Sequence, residues 1–386
     1  MLCAAAPFAY YFVAIFAAFR FLLPAPPAPS PEFVPAVSVL KPVRGVDFGS
    51  YENFASFCRQ DYPEFELLFA VNDLSDPAVP LIRRLIAEYP DRRIRLYHGS
   101  PRIGSNGKIN KLVRLLREAR HEIVVISDGD VRVGPRYLRH VVAPFRDART
   151  GLVTCLYRGV AQSGLFAKLE AVGASSDFFA GVLVARAFGG MRFALGATMV
   201  TTKSWLAKIG GAEVIADAHS DDYELGHRIY LQGGAVVLSR EAVWTMYPAT
   251  GLRGFWDHQL RWARTVRLCS PASYVGLLFT HGLPWALAGA ALAPSRALAA
   301  AFLLGYLALR LPQAWVVGVR ATGDDVLRRN LWLVPLRDAL NFAVWIASFF
   351  SNRITWAGDQ FEARKGSMAV VEDSAAGSVA AGRPGD

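Results

Sequence analysis

The chain has 386 residues, 53% of them apolar, and a formal charge of +10, with a mean hydropathy of +0.26. That value is high for a wholly soluble protein and low for a polytopic channel, which leaves a soluble domain joined to a few membrane spans. The basic balance admits nucleic acid, an anionic membrane surface or a phosphorylated substrate as partner; with spans present we expect the last two, and no nucleic acid.

The first element is the apolar run 1–23, almost uncharged until Arg20 and long enough to cross roughly 30 Å of hydrocarbon as a helix. A cleaved signal peptide would want a basic start and a small-residue cleavage site after a shorter apolar core. This segment instead enters a proline-rich linker, 24–36, so it reads as a retained anchor. Arg20 follows the span and no basic residue precedes it, which places the main domain in the cytoplasm.

From Val37 strands and helices alternate. "AVSVLKPVRG" and "FELLFAVNDLSDPAV" are strands ending in polar loops, and the helical spacing of "FGSYENFASFCRQDYP" and "VPLIRRLIAEYP" follows each in turn. "RRIRLYHGS", the helix "KLVRLLREARH" and the apolar "EIVVIS" continue the series, predicting a parallel sheet covered by helices. Ligands bind such sheets beyond the carboxyl ends of the strands, where Asp73, Asp128 and Asp130 fall. Residues 151–247 are mixed, with a helical "LFAKLEAVGASSDFFAGVLVARA", and read as the acceptor half of one domain, 37–250.

An amphipathic segment, 251–270, comes next, then three apolar blocks within 271–352, near 274–293, 297–319 and 331–350. Arg337 and Asp338 lie inside the last, where charge is expensive, so that block reads as partly interfacial. The tail 353–386 is expected to be partly disordered from Gly366 onward. Cys3, Cys58, Cys155 and Cys269 stand far apart without a CxxC pair, so no structural disulfide is expected.

Four clusters carry candidate chemistry. Asp128 and Asp130 in "SDGDVRV" form a D-x-D pair at a strand end, suited to magnesium or manganese, or else to an Asx-type turn. Asp73 either accepts from a nucleotide base or ribose, or caps the helix near Pro77. In "SDDYELG", Asp221 is the better cap, with Glu224 as in a capping box, and Asp222 the better catalytic candidate. "HQLRW" sets His258, Arg261 and Trp262 on one helix face, fit for a phosphate and a stacking partner or for a membrane surface. "GSNGKINK" fails as a Walker motif, and its Lys108 is either a phosphate contact or a solvated loop lysine.

Taken in order, "VNDLSDPA", "SDGDVRV", "SDDYELG" and "HQLRW" resemble the D, D, D, (Q/R)xxRW series of the ceramide glucosyltransferase family, and "SVLKPVRGVD", "GSNGKINKL" and "LFAKLE" resemble its intervening segments. The resemblance implies a GT-A type, Rossmann-like mixed α/β sheet flanked by helices, with one N-terminal and about three C-terminal membrane helices, in a multi-pass protein of the bacterial inner membrane. It implies an inverting transfer from a UDP-sugar to a lipid hydroxyl, with Mg2+ or Mn2+ as cofactor. Carried over, Asp222 is the general base; Asp73, Asp128, Lys108 and Arg261 meet the nucleotide-sugar; Asp128 and Asp130 hold the metal; His258 and Trp262 belong to the acceptor and diphosphate helix. Two departures stand out: His258 occupies the Gln/Arg position, and animal members lack an aspartate where Asp130 stands. The closest likeness is to bacterial members, which include hopanoid-associated transferases, so the acceptor expected is ceramide or a hopanoid polyol taking N-acetylglucosamine. A processive polysaccharide synthase and a non-catalytic scaffold are the remaining alternatives.

Overall fold

A computed structural model of the chain describes residues 2–23, 32–356, 359–364 and 367–370. The alternation becomes β1 (Val37–Pro42), β2 (Phe65–Val71), β3 (Arg93–His98), β4 (Ile123–Ser127), β5 (Val131–Arg132), β6 (Thr150–Ala161), β7 (Thr198–Thr202) and β8 (Ala235–Tyr247). These eight strands make one sheet in the order β3-β2-β1-β4-β7-β6-β8-β5. β1 to β4 pair in parallel, β7 runs antiparallel to both β4 and β6, and β8 is parallel to β6. The sheet is therefore mixed, as the resemblance implied.

Every residue of β1, β2 and β4 is buried. Helices cover both faces of such strands, which is why they read as unbroken apolar runs. Because β1, β2 and β4 share a direction, the loops following them open at one edge, the place for a ligand. At that edge the carboxylate of Asp76, not that of Asp73, secures the start of helix Ala78–Glu88: it accepts from Ala78 N at 2.9 Å and from Gly45 N at 2.9 and 3.1 Å, tying two loops together.

The N-terminal helix, Leu2–Leu22, has 21 residues, and its Ala14, Ala17, Ala18 and Phe21 are buried in the same core as the sheet. Among the described residues two helices, Leu165–Gly189 and Arg296–Arg320, are long and apolar enough to cross a membrane, while the apolar part of the N-terminal helix, Ala6–Leu22, is shorter. The first is the segment read from sequence as part of the acceptor half, and 56% of its most apolar stretch is buried inside the protein. All three C-terminal blocks are helical, but only the middle one is a single long helix. The first breaks at His281, where Gly282 and Pro284 interrupt it, leaving helix Gly282–Ala291. The third is helix Val334–Ser348, opened by Pro335. Asp338 within it does not face lipid unpaired: it accepts from Arg310 Nε and Nη2 at 2.8 and 2.7 Å and from the Tyr306 hydroxyl at 2.7 Å.

Inside the expected tail, Arg353–Trp356, Asp359–Arg364 and Ser367–Val370 form a three-stranded antiparallel sheet. The remaining tail, 371–386, and the linker residues 24–31 lie outside the described residues.

Candidate active site

Asp128 is the first residue beyond β4, and its position is fixed on both sides by backbone: its N–H donates to Ala197 O at 3.3 Å, and its carbonyl accepts from Lys41 Nζ at 2.8 Å. Lys41 is fully buried, with its ammonium 3.9 Å from the Phe57 ring centre. Burial brings its pKa down to about 7, against the pull of Asp128 and Asp130. Asp130 is pushed the other way, up to about 7, first by burial and then by the charges of Asp128 and Asp47. Asp47 is itself raised by burial and by Asp128.

Lys108 departs from the solvated-loop expectation. Asn106 caps helix Gly107–Glu118 by accepting from Lys108 N at 3.0 Å and Ile109 N at 3.3 Å, which puts Lys108 in the first helical turn, facing inward. Its ammonium lies 2.8 Å from Asp128 Oδ1 and 3.0 Å from Asp221 Oδ2. Burial alone would lower the pKa of Lys108; Asp128 and Asp221 more than reverse that, so it stays charged. One lysine thus joins two motifs that lie 93 residues apart in sequence (221 − 128).

Helix Asp221–Leu231 begins after Ser220, and Asp221, expected as its cap, is instead the partner of Lys108. Asp222 Oδ1 accepts from Ser220 Oγ and Tyr223 N, both at 2.8 Å. Its other oxygen faces Gly196, where a Cβ would approach to 3.0 Å; the missing side chain leaves that oxygen open. Burial, followed by the neighbouring charge of Asp221, raises the Asp222 pKa.

Helix Leu252–Cys269 carries the third motif. His258 Nδ1 is 2.9 Å from Glu170 Oε1, and Trp262 packs edge-on against His258 and Phe178 at 5.5 and 6.0 Å between ring centres. Burial lowers the pKa of Arg261 from the usual arginine value, with Glu170 opposing.

Asp128, Asp130, Asp222 and Lys108 line one cavity together with His258, Arg261 and Trp262. Its volume, about 2560 Å³, is more than twice the upper end of roughly 1,000 Å³ for a single-ligand pocket, so it has room for two molecules. It continues past Glu170 and Asp177 to Arg337 and Trp345 among the apolar helices. Asp73 is not part of its wall: it is exposed, and its carboxylate closes an Asx turn on Ser75 N at 2.8 Å and on Ser75 Oγ, which lowers its pKa.

Among the described residues no group of three side chains forms a metal cage. The crowding of Asp130 by Asp128 and Asp47 nevertheless leaves an excess of negative charge that suits a divalent cation. Magnesium in particular is commonly held by one or two carboxylates plus phosphate oxygens of the substrate, and Asp128 with Asp130 fits that donor set.

Sequence reasoning did not find Asp47, Glu170 or Tyr247 as cavity groups, nor Lys41 as the buried support behind Asp128. Lys41 was legible only as the basic end of a strand. Glu170 sits in an apolar helical run, and nothing local links it to His258, 88 residues later.

Comparison with known proteins follows the same lines. A sequence model described as Glycosyl transferase family 21 matches residues 1–369. The chain is similar to Ceramide glucosyltransferase 1 of Caenorhabditis elegans, 27% identical over 60% of this chain and 50% of that protein. It is also similar to Ceramide glucosyltransferase of Gibberella zeae, 32% identical over 36% of this chain and 29% of that protein. The chain thus spans half the length or less of these curated relatives. Among solved structures, "Mannosyltransferase PcManGT from Pyrobaculum calidifontis in complex with GDP-Man and Mn2+" has a TM-score of 0.53 and 21% identity over 90% of this chain and 97% of that one, a likeness of fold.

Proposed function

The chain belongs to glycosyl transferase family 21, and from that membership we propose that it is an inverting, membrane-bound hexosyltransferase moving a sugar from a UDP-sugar to the hydroxyl of a membrane lipid. The observation that carries the reading is the single cavity that joins the carboxylates of Asp128, Asp130 and Asp222 to the apolar helices. A water-soluble donor fits its sheet end and a lipid its helical end.

In this reading the donor diphosphate lies toward Lys108 and Arg261, and Asp222 takes the proton of the acceptor hydroxyl. The acceptor oxygen forms its bond to the anomeric carbon as the bond to UDP breaks, and the electron pair leaves with UDP. A divalent cation bound by Asp128 and Asp130 would supply charge neutralisation for that leaving group. Lys108 keeps Asp128 and Asp221 in place by their shared ion pairs, and Ser220 holds the Asp222 carboxylate in its orientation. Asp73, outside the cavity wall, reaches the nucleotide only if its loop turns inward on binding. In this reading the catalytic domain faces the cytoplasm, supported by Arg20 in the last turn of the first helix, and the likeness to bacterial members suggests an inner membrane.

Turnover of labelled UDP-glucose and UDP-N-acetylglucosamine by the purified protein, against ceramide, bacteriohopanetetrol and diacylglycerol, tests the proposal. Hexosylceramide, absent with Asp222→Asn, is the expected product. An N-acetylglucosaminyl hopanoid would keep the chemistry and change the pathway; no product with any pair would overturn the reading.

A further inference from the structure

Among the described residues several cavity-lining side chains hold a buried polar atom without a hydrogen-bond partner, Ser100, His219, His227, Thr245 and His281 among them; two more, Arg337 and Tyr247, lie within electrostatic reach of each other. Arg337, 5% exposed, donates from Nη2 to Gln259 Oε1, while its Nε and Nη1 have no hydrogen-bond partner. Tyr247, the last residue of β8 and also 5% exposed, has a hydroxyl without a partner. Both line the cavity, and Tyr247 lies within electrostatic reach of Arg337. A buried donor left unmade costs free energy, so native proteins rarely keep one that nothing uses.

The surroundings hold the guanidinium deliberately. A Cβ at Gly173 would fall 2.0 Å from Arg337 Nε, so the missing side chain provides the space that edge occupies. Phe255 lies 5.5 Å from the guanidinium carbon on another side.

Charge identifies the ligand class. The carboxylates acting on Arg337 are those of Asp177, Glu170 and Asp338. Asp338 is neutralised by Arg310, Glu170 is paired with His258, and Asp177 only accepts from the neutral Asn341 at 2.5 Å. With Arg337 balancing Asp177, the collar has no surplus positive charge to hold a phosphate. Neutral oxygens, hydroxyl or carbonyl, would meet idle donors.

We propose that Arg337 and Tyr247 bind the neutral, oxygen-bearing head of the lipid acceptor, positioning its reactive hydroxyl between the apolar helices and Asp222. This deepens the lipid-acceptor reading and rests on it. The donor diphosphate stays at the Lys108 and Arg261 end, and Arg337 discriminates acceptors by what surrounds their hydroxyl.

The test uses the full chain in detergent micelles, with Arg337→Gln and Tyr247→Phe. Two dissociation constants are measured for each protein, for UDP and for N-hexanoyl-sphingosine, alongside the KM for that lipid in transfer. Losing a hydrogen bond to a charged donor predicts that Arg337→Gln weakens lipid binding about tenfold or more, and Tyr247→Phe about threefold, with UDP binding within about twofold of wild type. If Arg337→Gln does not fold, Tyr247→Phe carries the same comparison. Unchanged lipid binding in the folded variants overturns the assignment, as does a loss confined to UDP, which would make Arg337 a diphosphate contact. Wild-type transfer to lipid with unaltered variants sinks this assignment alone; absence of wild-type transfer to any hydroxylated lipid sinks the reading beneath it.

Discussion

Asp222 is held by its own helix start, one oxygen engaged by Ser220 and Tyr223 and the other left open over Gly196. Removing the base while keeping the shape, as in Asp222→Asn, is expected to lower kcat by about 10²–10⁴-fold with little change in Tm, read by lipid-product assay and thermal unfolding. Its pKa is raised by burial and by Asp221. In the proposed reaction Asp222 acts as the carboxylate, and a raised pKa means that form is lost at a higher pH than the roughly 3.9 of a free aspartate. kcat/KM therefore falls as pH drops, with its acid midpoint above about 4; a midpoint at or below that value would remove Asp222 from the role. Lys108 makes the complementary case. Lys108→Met leaves Asp221, whose side chain is only 11% exposed, without its counter-charge. Breaking such a pair from one side costs on the order of 3 kcal/mol, so we expect a clearly lower Tm; an unchanged Tm would mean the two carboxylates find other partners. The carboxylates were legible in the sequence because strand-end aspartates announce themselves. Lys41, Glu170 and Arg337 were not, because each owes its environment to a segment 87 or more residues away: Lys41 to Asp128, Glu170 to His258, Arg337 to Gly173.

At the scale of elements, the turn after helix Arg296–Arg320 joins the apolar helices to the sheet. Asp324 there is fully buried. Its Oδ2 accepts from Gly159 N in β6 at 3.0 Å and from Ser175 Oγ in helix Leu165–Gly189, and its Oδ1 accepts from Leu327 N at 2.8 Å. One carboxylate thus caps a short helix and pins two larger elements. Asp324→Ala would leave three buried donors unmade, at about 1–3 kcal/mol each. We expect a large loss of thermal stability in detergent, with Asp324→Asn intermediate; equal Tm for Ala and wild type would show the turn to be independent of the sheet. The alternation of strands and helices up to β4 was readable because its apolar periods switch cleanly and its connections are local. Beyond β6 it was not. Helix Leu165–Gly189 is apolar enough to pass for a span yet half enclosed by protein, and what encloses it arrives from both ends of the chain.

For the whole molecule, the N-terminal helix is a structural member of the fold, whatever its proposed part as an anchor. Phe21 is 2% exposed and lies in the core that contains the sheet. Two guanidinium carbons approach its ring, Arg186 from helix Leu165–Gly189 at 5.2 Å and Arg240 from β8 at 5.7 Å. Arg20 beside it donates to Ala187 O at 3.4 Å. A mere tether would leave the catalytic domain intact when cut. Here Phe21, Arg186 and Arg240 bring together the N-terminal helix, the helix that carries Glu170 and the strand that ends at Tyr247, and those last two residues line the cavity. Phe21→Ala should cost about 3 kcal/mol through the lost packing. If the body is continuous, the same change also raises the KM for lipid, because Glu170 and Tyr247 sit on the elements released. Thermal unfolding and acceptor titration on the one variant separate the two effects: lower Tm with an unaltered KM would make the anchor a stabiliser only, whereas a shift in both would tie the geometry of the acceptor end to the first helix of the chain.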